Sequence, residues 1–261
     1  MKNEYCKDKV QLYKGDCLEI MKNIPDKSID MILCDLPYGT TTCKWDTIIP
    51  FEPLWTEYKR IIKDRGAIVL FGSEPFSSKL RISNIKGYKY DWIWDKKSVS
   101  NPQLAKRQPL KNFETISVFG TGKSGIVYYP QGLIKIENPK VRGQIVTDTE
   151  KLRHINGRRN DYMQTYTNYP KALALQFPKP SKPLHPTQKP VELLEYLIKT
   201  YTIEGELVLD NCMGSGSTGI ACLNTNRRFI GIEKDDKYFD LAYNRINEYT
   251  KNVVRRERKL F

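Results

Sequence analysis

Histidine is nearly missing from this chain. Only His154 and His185 occur in 261 residues, so a histidine-rich metal centre is not expected and no metal is assigned. The six cysteines, Cys6, Cys17, Cys34, Cys43, Cys212 and Cys222, contain no C-x-x-C pair. Several fall in or beside expected strands, which favours reduced core thiols over disulfides or zinc. No apolar run is long enough to span a bilayer, and the segment Met1-Lys2-Asn3-Glu4-Tyr5-Cys6 lacks a signal-peptide apolar region. A soluble, cytoplasmic protein with no membrane partner is therefore expected. There is no complete G-x-x-x-x-G-K-S/T phosphate loop and no internal repeat.

Acidic residues are scarce in one region. From Lys96 to Lys189 there are 17 Lys/Arg against 5 Asp/Glu, a surplus of +12 out of +13 for the whole chain. A footprint localised in this way suits a polyanion, most simply nucleic acid. The bland reading is a merely soluble basic face.

The apolar runs that are present alternate between strand and helix patterns. Strands are expected at 11–13, 29–34, 67–71, 88–94, 115–119, 207–210 and 228–233. Helices are expected at 18–23, 53–63, 76–83, 191–201 and 236–249, with a further one opening from the stretch 211–219 and running through 224. This βα series predicts an α/β fold with a mostly parallel, doubly wound sheet. Residues 96–184 are rich in Lys, Arg, Gln, Asn, Pro and Tyr and weakly periodic apart from 115–119. They read as a loop-rich insertion in which Tyr128-Tyr129-Pro130, Arg158-Arg159-Asn160 and the run from Tyr162 to Tyr169 interleave aromatic with basic and amide side chains. Such a segment could place Arg/Lys on phosphates and Asn/Gln/Arg on base edges. The basic tail Arg255-Arg256-Glu257-Arg258-Lys259 reads as solvated.

Two stretches carry chemistry. Asp35-Leu36-Pro37-Tyr38 follows the apolar run 29–34, so an acid, a fixed proline and an aromatic ring arrive at the carboxyl end of a strand. That is where open α/β sheets bind ligands. The bland reading of the four residues is a turn. Asp210-Asn211-Cys212-Met213-Gly214-Ser215-Gly216 leaves a second strand and opens a helix containing Thr218. Glycines let backbone approach a ligand, and a helix start offers unpaired N–H groups. Glu233 ends the next strand 23 residues after Asp210, close to the spacing at which an acid accepts hydrogen bonds from ribose hydroxyls. An adenosine-containing ligand is the better reading of the pair.

Together these motifs, with His185-Pro186-Thr187-Gln188-Lys189-Pro190 just before the second, resemble the S-adenosylmethionine-dependent amino-methyltransferases of DNA. The family's catalytic pattern is Asp, Asn or Ser, then Pro-Pro, then an aromatic. The catalytic motif precedes the glycine motif here, as in the beta group of circularly permuted members. The resemblance runs from about Tyr13 to Tyr249. It implies the class I methyltransferase sheet, with a core of residues 1–95 and 185–261 and an inserted target-recognition region at 96–184. It also implies S-adenosylmethionine as cofactor and double-stranded DNA as substrate, and it admits a homodimer and a cognate restriction enzyme as further partners. The catalytic residues implied are Asp35, Leu36, Pro37 and Tyr38. Leu36 departs from the family's first proline but keeps the backbone carbonyl that position contributes. Cofactor-binding residues implied are Asp16, Thr187, Lys189, Asp210, Gly214, Gly216, Thr218 and Glu233. Asp16 reads equally as a helix N-cap, and Lys189 equally as a solvated lysine at a helix start. Phe71, Trp92 and Trp94 read as core, and His185 as ordering its loop. Asp at the first motif position favours adenine N6 over cytosine N4. The same residues also admit an RNA methyltransferase or a non-catalytic DNA-binding protein.

Overall fold

The computed structural model describes residues 3–257 apart from 8, 41–42, 44–45, 101, 122–124, 147–157, 173–174 and 186. Thr41, Thr42, His154, Pro186, the side chains of Arg158-Arg159-Asn160 and of Arg255-Arg256-Glu257, and Arg258-Lys259 fall outside what is described.

The fold starts from strands with two buried faces. Strand β1 (Asn3–Lys7) pairs antiparallel with β2 (Val10–Lys14), and helix α1 (Cys17–Met21) follows. Strand β3 (Ile29–Cys34) is buried at all six positions. Met31 and Leu33 enter one core cluster, while Ile32 and Cys34 enter the other. A period of two with both faces covered reads in sequence as an unbroken apolar run. Helix α2 (Phe51–Ile61) leads to β4 (Ile62–Gly72), which divides its residues the same way: Ala67, Val69 and Phe71 on one side, Ile68 and Leu70 on the other.

Helix α3 (Phe76–Ser83) comes next, then β5 (Tyr88–Ser100) and β6 (Lys111–Phe119). After the insertion, β9 (Leu175–Gln176) adds a short edge strand. Helix α4 (Val191–Tyr201), β10 (Leu207–Asp210), α5 (Ser217–Asn224), β11 (Arg228–Glu233) and α6 (Asp236–Glu257) close the chain. The nine strands of the main sheet run β1-β2-β11-β10-β3-β4-β6-β5-β9. From β2 to β4 every neighbour is parallel, and β6 is antiparallel to both β4 and β5. Helices α1, α2 and α3 cover one face, and α4, α5 and α6 the other.

The central pair positions the site. Neighbours β10 and β3 end side by side. The chain leaves β3 towards α2 on one face and leaves β10 towards α5 on the opposite face. Such a switch point opens a crevice at the carboxyl edge of the sheet.

Two expectations change. Strand β4 begins at Ile62 rather than 67. Ile62 pairs with Ile29, and an irregularity then carries exposed Lys63-Asp64-Arg65 past β3 before Ala67 meets Met31. The segment 96–184 is not uniformly loop-rich. Its ends belong to the main body, where β5 runs on to Ser100 and β6 starts at Lys111. Only Pro130–Lys171 forms a separate compact unit. That unit holds the antiparallel pair β7 (Ile134–Val146) and β8 (Arg158–Thr167), with a register shift between Lys135 and Lys140. Ile134, Val141, Tyr162 and Met163 are exposed. Among the described side chains of this hairpin none is buried, and strands of that kind lack the apolar alternation by which they are recognised.

Candidate active site

A cavity of about 490 Å³ lies at the switch point. It is lined by Asp35, Leu36, Pro37 and Tyr38 from the end of β3, by Asp210 and Gly214 from the turn after β10, and by Asp16, Glu233, Thr187 and Lys189. Two motifs 175 residues apart in sequence thus face one space.

The glycine turn is held from several sides. Asp210 Oδ2 accepts from Thr218 Oγ1 at 2.6 Å and Oδ1 from the Cys212 N–H at 3.1 Å. Burial pushes the Asp210 carboxyl up to about 6, against those two donors. Gly214 has φ +50°, a conformation glycine adopts without the Cβ penalty. Its N–H donates to Glu233 Oε2 at 2.9 Å, while the N–H groups of Lys234 and Asp235 donate to Oε1 at 2.9 and 2.8 Å. Burial raises the Glu233 carboxyl, and the three donors oppose it. Tyr58 of α2 donates its hydroxyl to Asn211 Oδ1 at 2.5 Å, tying the turn to the opposite helix layer.

Asp16 is the N-cap of α1, accepting the Leu18 N–H at 3.0 Å, and it also lines the cavity, so its two readings are compatible. Burial works against its charge. The Lys234 ammonium at 3.0 Å and the Leu18 donor outweigh that and hold the carboxyl below its usual range.

Asp35 has a separate set of partners. Tyr38 donates its hydroxyl to Oδ1 at 2.6 Å, and Lys189 Nζ lies 2.6 Å from Oδ2. The Tyr38 ring stacks on Phe76, with centroids 4.8 Å apart. Beyond Tyr38, Asp46 accepts the N–H groups of Gly39 and Thr40 at 2.8 and 2.9 Å and so closes the loop after the motif.

Two residues fall elsewhere than expected. Lys189 is neither solvated nor free for a ligand carboxylate. Its side chain is 7% exposed and pairs with Asp35 and, at 3.3 Å, with Glu114 Oε2. Gly216 does not itself line the cavity, although its neighbours Ser215 and Ser217 do. With φ +74°, it packs where a Cβ would meet Ala242 and Ile246 of α6 at 3.1 Å, so its smallness serves helix packing. Thr187 lies exposed at the rim, and its N–H and hydroxyl face His185 Nδ1 at 3.2 and 3.0 Å.

Sequence reading missed Glu114, Lys96, Asp46 and Asn211, and it left Phe71 in the core. Phe71 is core and also lines the cavity, with Lys189 Nζ 5.0 Å above its ring. Glu114 is the one acid between Lys96 and Glu137. That isolation in an otherwise basic stretch was the available signal.

Matches to known proteins bear on the family and the fold. A family model described as DNA methylase (N6/N4) covers residues 29–244. The type II methyltransferase M.HinfI of Haemophilus influenzae is 27% identical over 92% of this chain and 69% of its own length. M2.MboI of Moraxella bovis is 25% identical over 92% of this chain and 88% of its own. The crystal structure of an M1.HpyAVI–SAM complex superposes with TM-score 0.62 at 27% identity, covering 90% of this chain and 99% of that one. The cytosine-N4-specific PvuII DNA methyltransferase shares the fold, with TM-score 0.64 at 17% identity over 93% of this chain and 88% of that one. With its paired motifs lining one cavity and a family match across most of its length, the chain belongs to the N6/N4 DNA methylase family.

Proposed function

We propose that this protein transfers a methyl group from S-adenosylmethionine to the N6 amine of adenine in double-stranded DNA. The observation that carries the reading is the shared cavity, which the Asp35 carboxylate lines together with the carboxylates of Glu233 and Asp16.

The lining fits the cofactor. It contains six acids (Asp16, Asp35, Asp46, Asp210, Glu233 and Asp235) against two lysines, Lys189 and Lys234. That balance favours a cationic ligand. Glu233 has three of its roughly four acceptor positions filled by backbone and retains capacity for a ribose hydroxyl. Asp16 would lie towards the adenine, Gly214 beside the methionine end, and Asp210 with Thr218 would hold the turn. When bound, the cofactor supplies an electrophilic methyl on a sulfonium.

The chain's residues do the rest. An exocyclic amine is a weak nucleophile because its lone pair is delocalised into the ring. The Asp35 carboxylate and the Leu36 carbonyl accept its two N–H bonds and draw that pair out of conjugation. Hydrogen bonds to a charged acceptor contribute about 1.5–3 kcal/mol each. Pro37 stiffens the loop, so positioning is largely built in before substrate arrives. The target base leaves the duplex at a cost of a few kcal/mol. Tyr38 lines its pocket, where stacking is worth about 1–3 kcal/mol. Asp35 can take the proton released by the methylated amine. The basic segment 96–184, including the hairpin β7–β8, reads the target and contacts phosphates. A second copy of the chain and a cognate restriction enzyme are retained from the family resemblance as further partners.

Incubation with labelled S-adenosylmethionine and unmethylated genomic DNA, followed by nucleoside mass spectrometry, tests the reading. N6-methyladenine supports it. N4-methylcytosine keeps the chemistry and overturns the base.

A further inference from the structure

A chain of alternating charges runs inward from the catalytic motif. Lys189 Nζ, from the segment before α4, lies 2.6 Å from Asp35 Oδ2 and 3.3 Å from Glu114 Oε2. Glu114 Oε1 in turn accepts from Lys96 Nζ of β5 at 2.5 Å. The side chains of Lys96 and Lys189 are each 7% exposed, that of Glu114 13% and that of Asp35 19%. Two acids and two lysines therefore form a net-neutral, buried series that links the end of β3, the strands β5 and β6, and the loop before α4. Neutrality is what permits such burial, since removing one member leaves an uncompensated buried charge. No motif contains Lys96 or Glu114.

We propose that Lys189 is a positioning residue acting through Asp35, and that Glu114 and Lys96 set how firmly it acts. The inference rests on the methyl-transfer reading of Asp35. Lys189 and Tyr38 each hold one of the two carboxylate oxygens, so the carboxylate cannot rotate freely about its side-chain bond. The planar acceptor is thereby aimed before an amine arrives.

Charge matters as much as aim, because only the ionised carboxylate is a strong two-oxygen acceptor. The groups facing Asp35 are Lys189, Glu114, Tyr38, the neighbouring Cys34 thiol, and Asp210 at the end of β10. Burial pushes the Asp35 carboxyl up, Lys189 pulls it down, and the Glu114 charge pushes it up again. Lys189 is itself disfavoured by burial, but Asp35 and Glu114 outweigh this and keep it protonated. Around it also lie the Thr187 carbonyl, which accepts from Nζ at 3.4 Å, the Phe71 ring, Lys179, whose ammonium is disfavoured by burial and by the Lys96 and Lys189 charges, and His185, which burial and Lys189 hold neutral down to about 4.

The two partners of Asp35 and Lys189 therefore make opposite predictions. Removing the Lys189 charge raises the pH at which Asp35 ionises. Removing the Glu114 charge lowers it, because a repelling neighbour disappears and two cations remain. The experiment compares full-length wild type, Lys189→Met, Lys189→Arg and Glu114→Gln. It measures the pH profile of methyl transfer and, separately, the carbon-13 titration of the Asp35 carboxyl, assigned with Asp35→Asn. Lys189→Met is expected to move the acid limb and the titration up by roughly 1–3 units, the span typical of one close opposite charge. Lys189→Arg, which keeps the charge, should leave the positions of the acid limb and of the titration near those of wild type whatever its rate, and Glu114→Gln should move both down. Should Lys189→Met not fold, the downward shift in Glu114→Gln decides alone. Loss of activity by one factor at every pH, with the Asp35 titration unmoved, would overturn the proposal. A wild type that methylates no DNA while the titrations shift as stated would instead remove the methyl-transfer reading and leave the charge coupling standing.

Discussion

The carboxylates at the site must stay ionised where water is scarce. Asp35 is expected to be indispensable for chemistry and dispensable for cofactor affinity, because its partners, Tyr38 and Lys189, are separate from those that hold Glu233 and Asp16. In Asp35→Ala, methylation should fall by at least about a hundredfold, given the loss of the charge-assisted hydrogen bond to the amine and of the proton acceptor, while cofactor affinity measured by calorimetry changes by less than about threefold. Normal turnover in that variant would sink the mechanism. His185 supplies a stability prediction of definite sign. It is 8% exposed, and burial, followed by the Lys189 charge, lowers its ring to about 4. An unfolded histidine titrates near about 6.5, so between those values the unfolded chain binds more protons. Stability contributed by the neutral ring is complete above about 6.5 and is lost as pH falls towards 4, amounting to at most roughly 3 kcal/mol. Urea midpoints recorded across that window should fall with acidification in the wild type and fall less in His185→Asn. Parallel curves for the two proteins would show that the ring is not held neutral.

Elements come next, and here glycine and packing decide. Helix α5 starts from Gly216 in the left-handed region, with Ala242 and Ile246 of α6 pressed against the place a side chain would occupy. Arg245 of α6 donates to the Ser215 carbonyl at 3.0 Å and the Ser217 hydroxyl at 2.9 Å, clamping the same corner. Gly216→Ala should therefore cost about 1–3 kcal/mol in chemical denaturation, from strain and overpacking together. A change below about 0.5 kcal/mol would mean the corner yields easily. Elements with a clear outer face were legible in advance. Helix α4 buries Leu193, Leu194, Leu197 and Ile198 at helical spacing and starts after Pro190, and its bounds agree with the spacing. Strand β1 was not legible, because its five residues, Asn-Glu-Tyr-Cys-Lys, form an edge with little apolar content. Helix α6 runs past Tyr249 to Glu257, since the polar turns Lys251–Glu257 lack an apolar stripe to announce them.

Charge placement and the division into units belong to the whole molecule. The main body comprises Met1–Tyr129 and Ala172–Phe261, and the hairpin unit is a single contiguous insertion. Replacing 130–171 with a short Gly/Ser linker should leave the melting transition and cofactor binding of the main body in place while abolishing methylation of the preferred site. Retained site preference in genome-wide methylation mapping would remove the hairpin from target recognition. Among the described residues no helix is long and apolar enough to cross a membrane. The surplus of cations from Lys96 to Lys189 should instead appear as salt sensitivity. Neutralising several phosphates releases their counterions, so the logarithm of DNA affinity should fall linearly with that of salt, with a slope of about −0.9 per phosphate contacted. The linker variant should show a shallower slope.

Sequence by itself determined the layers and the two chemical motifs. Buried strands such as β3 and β10 leave continuous apolar runs, and the Asp35 and Asp210 segments must then stand at strand ends. It also determined that an acid, Glu233, would follow the glycine turn at a ribose-like spacing. Only the tertiary structure decided which side chains meet. The spacing of Lys189 from Asp35, 154 positions away, carries no local signal, and Glu114 becomes meaningful only because β6 is antiparallel to β4 and brings it beside both. Burial then changes what each residue is. A lysine that reads as solvated becomes a buried counter-ion, and a glycine that reads as ligand-facing becomes a packing contact. Periodicity records which face of an element is covered. Charge pairing across the sheet depends on strand order, and strand order is a property of the folded chain alone.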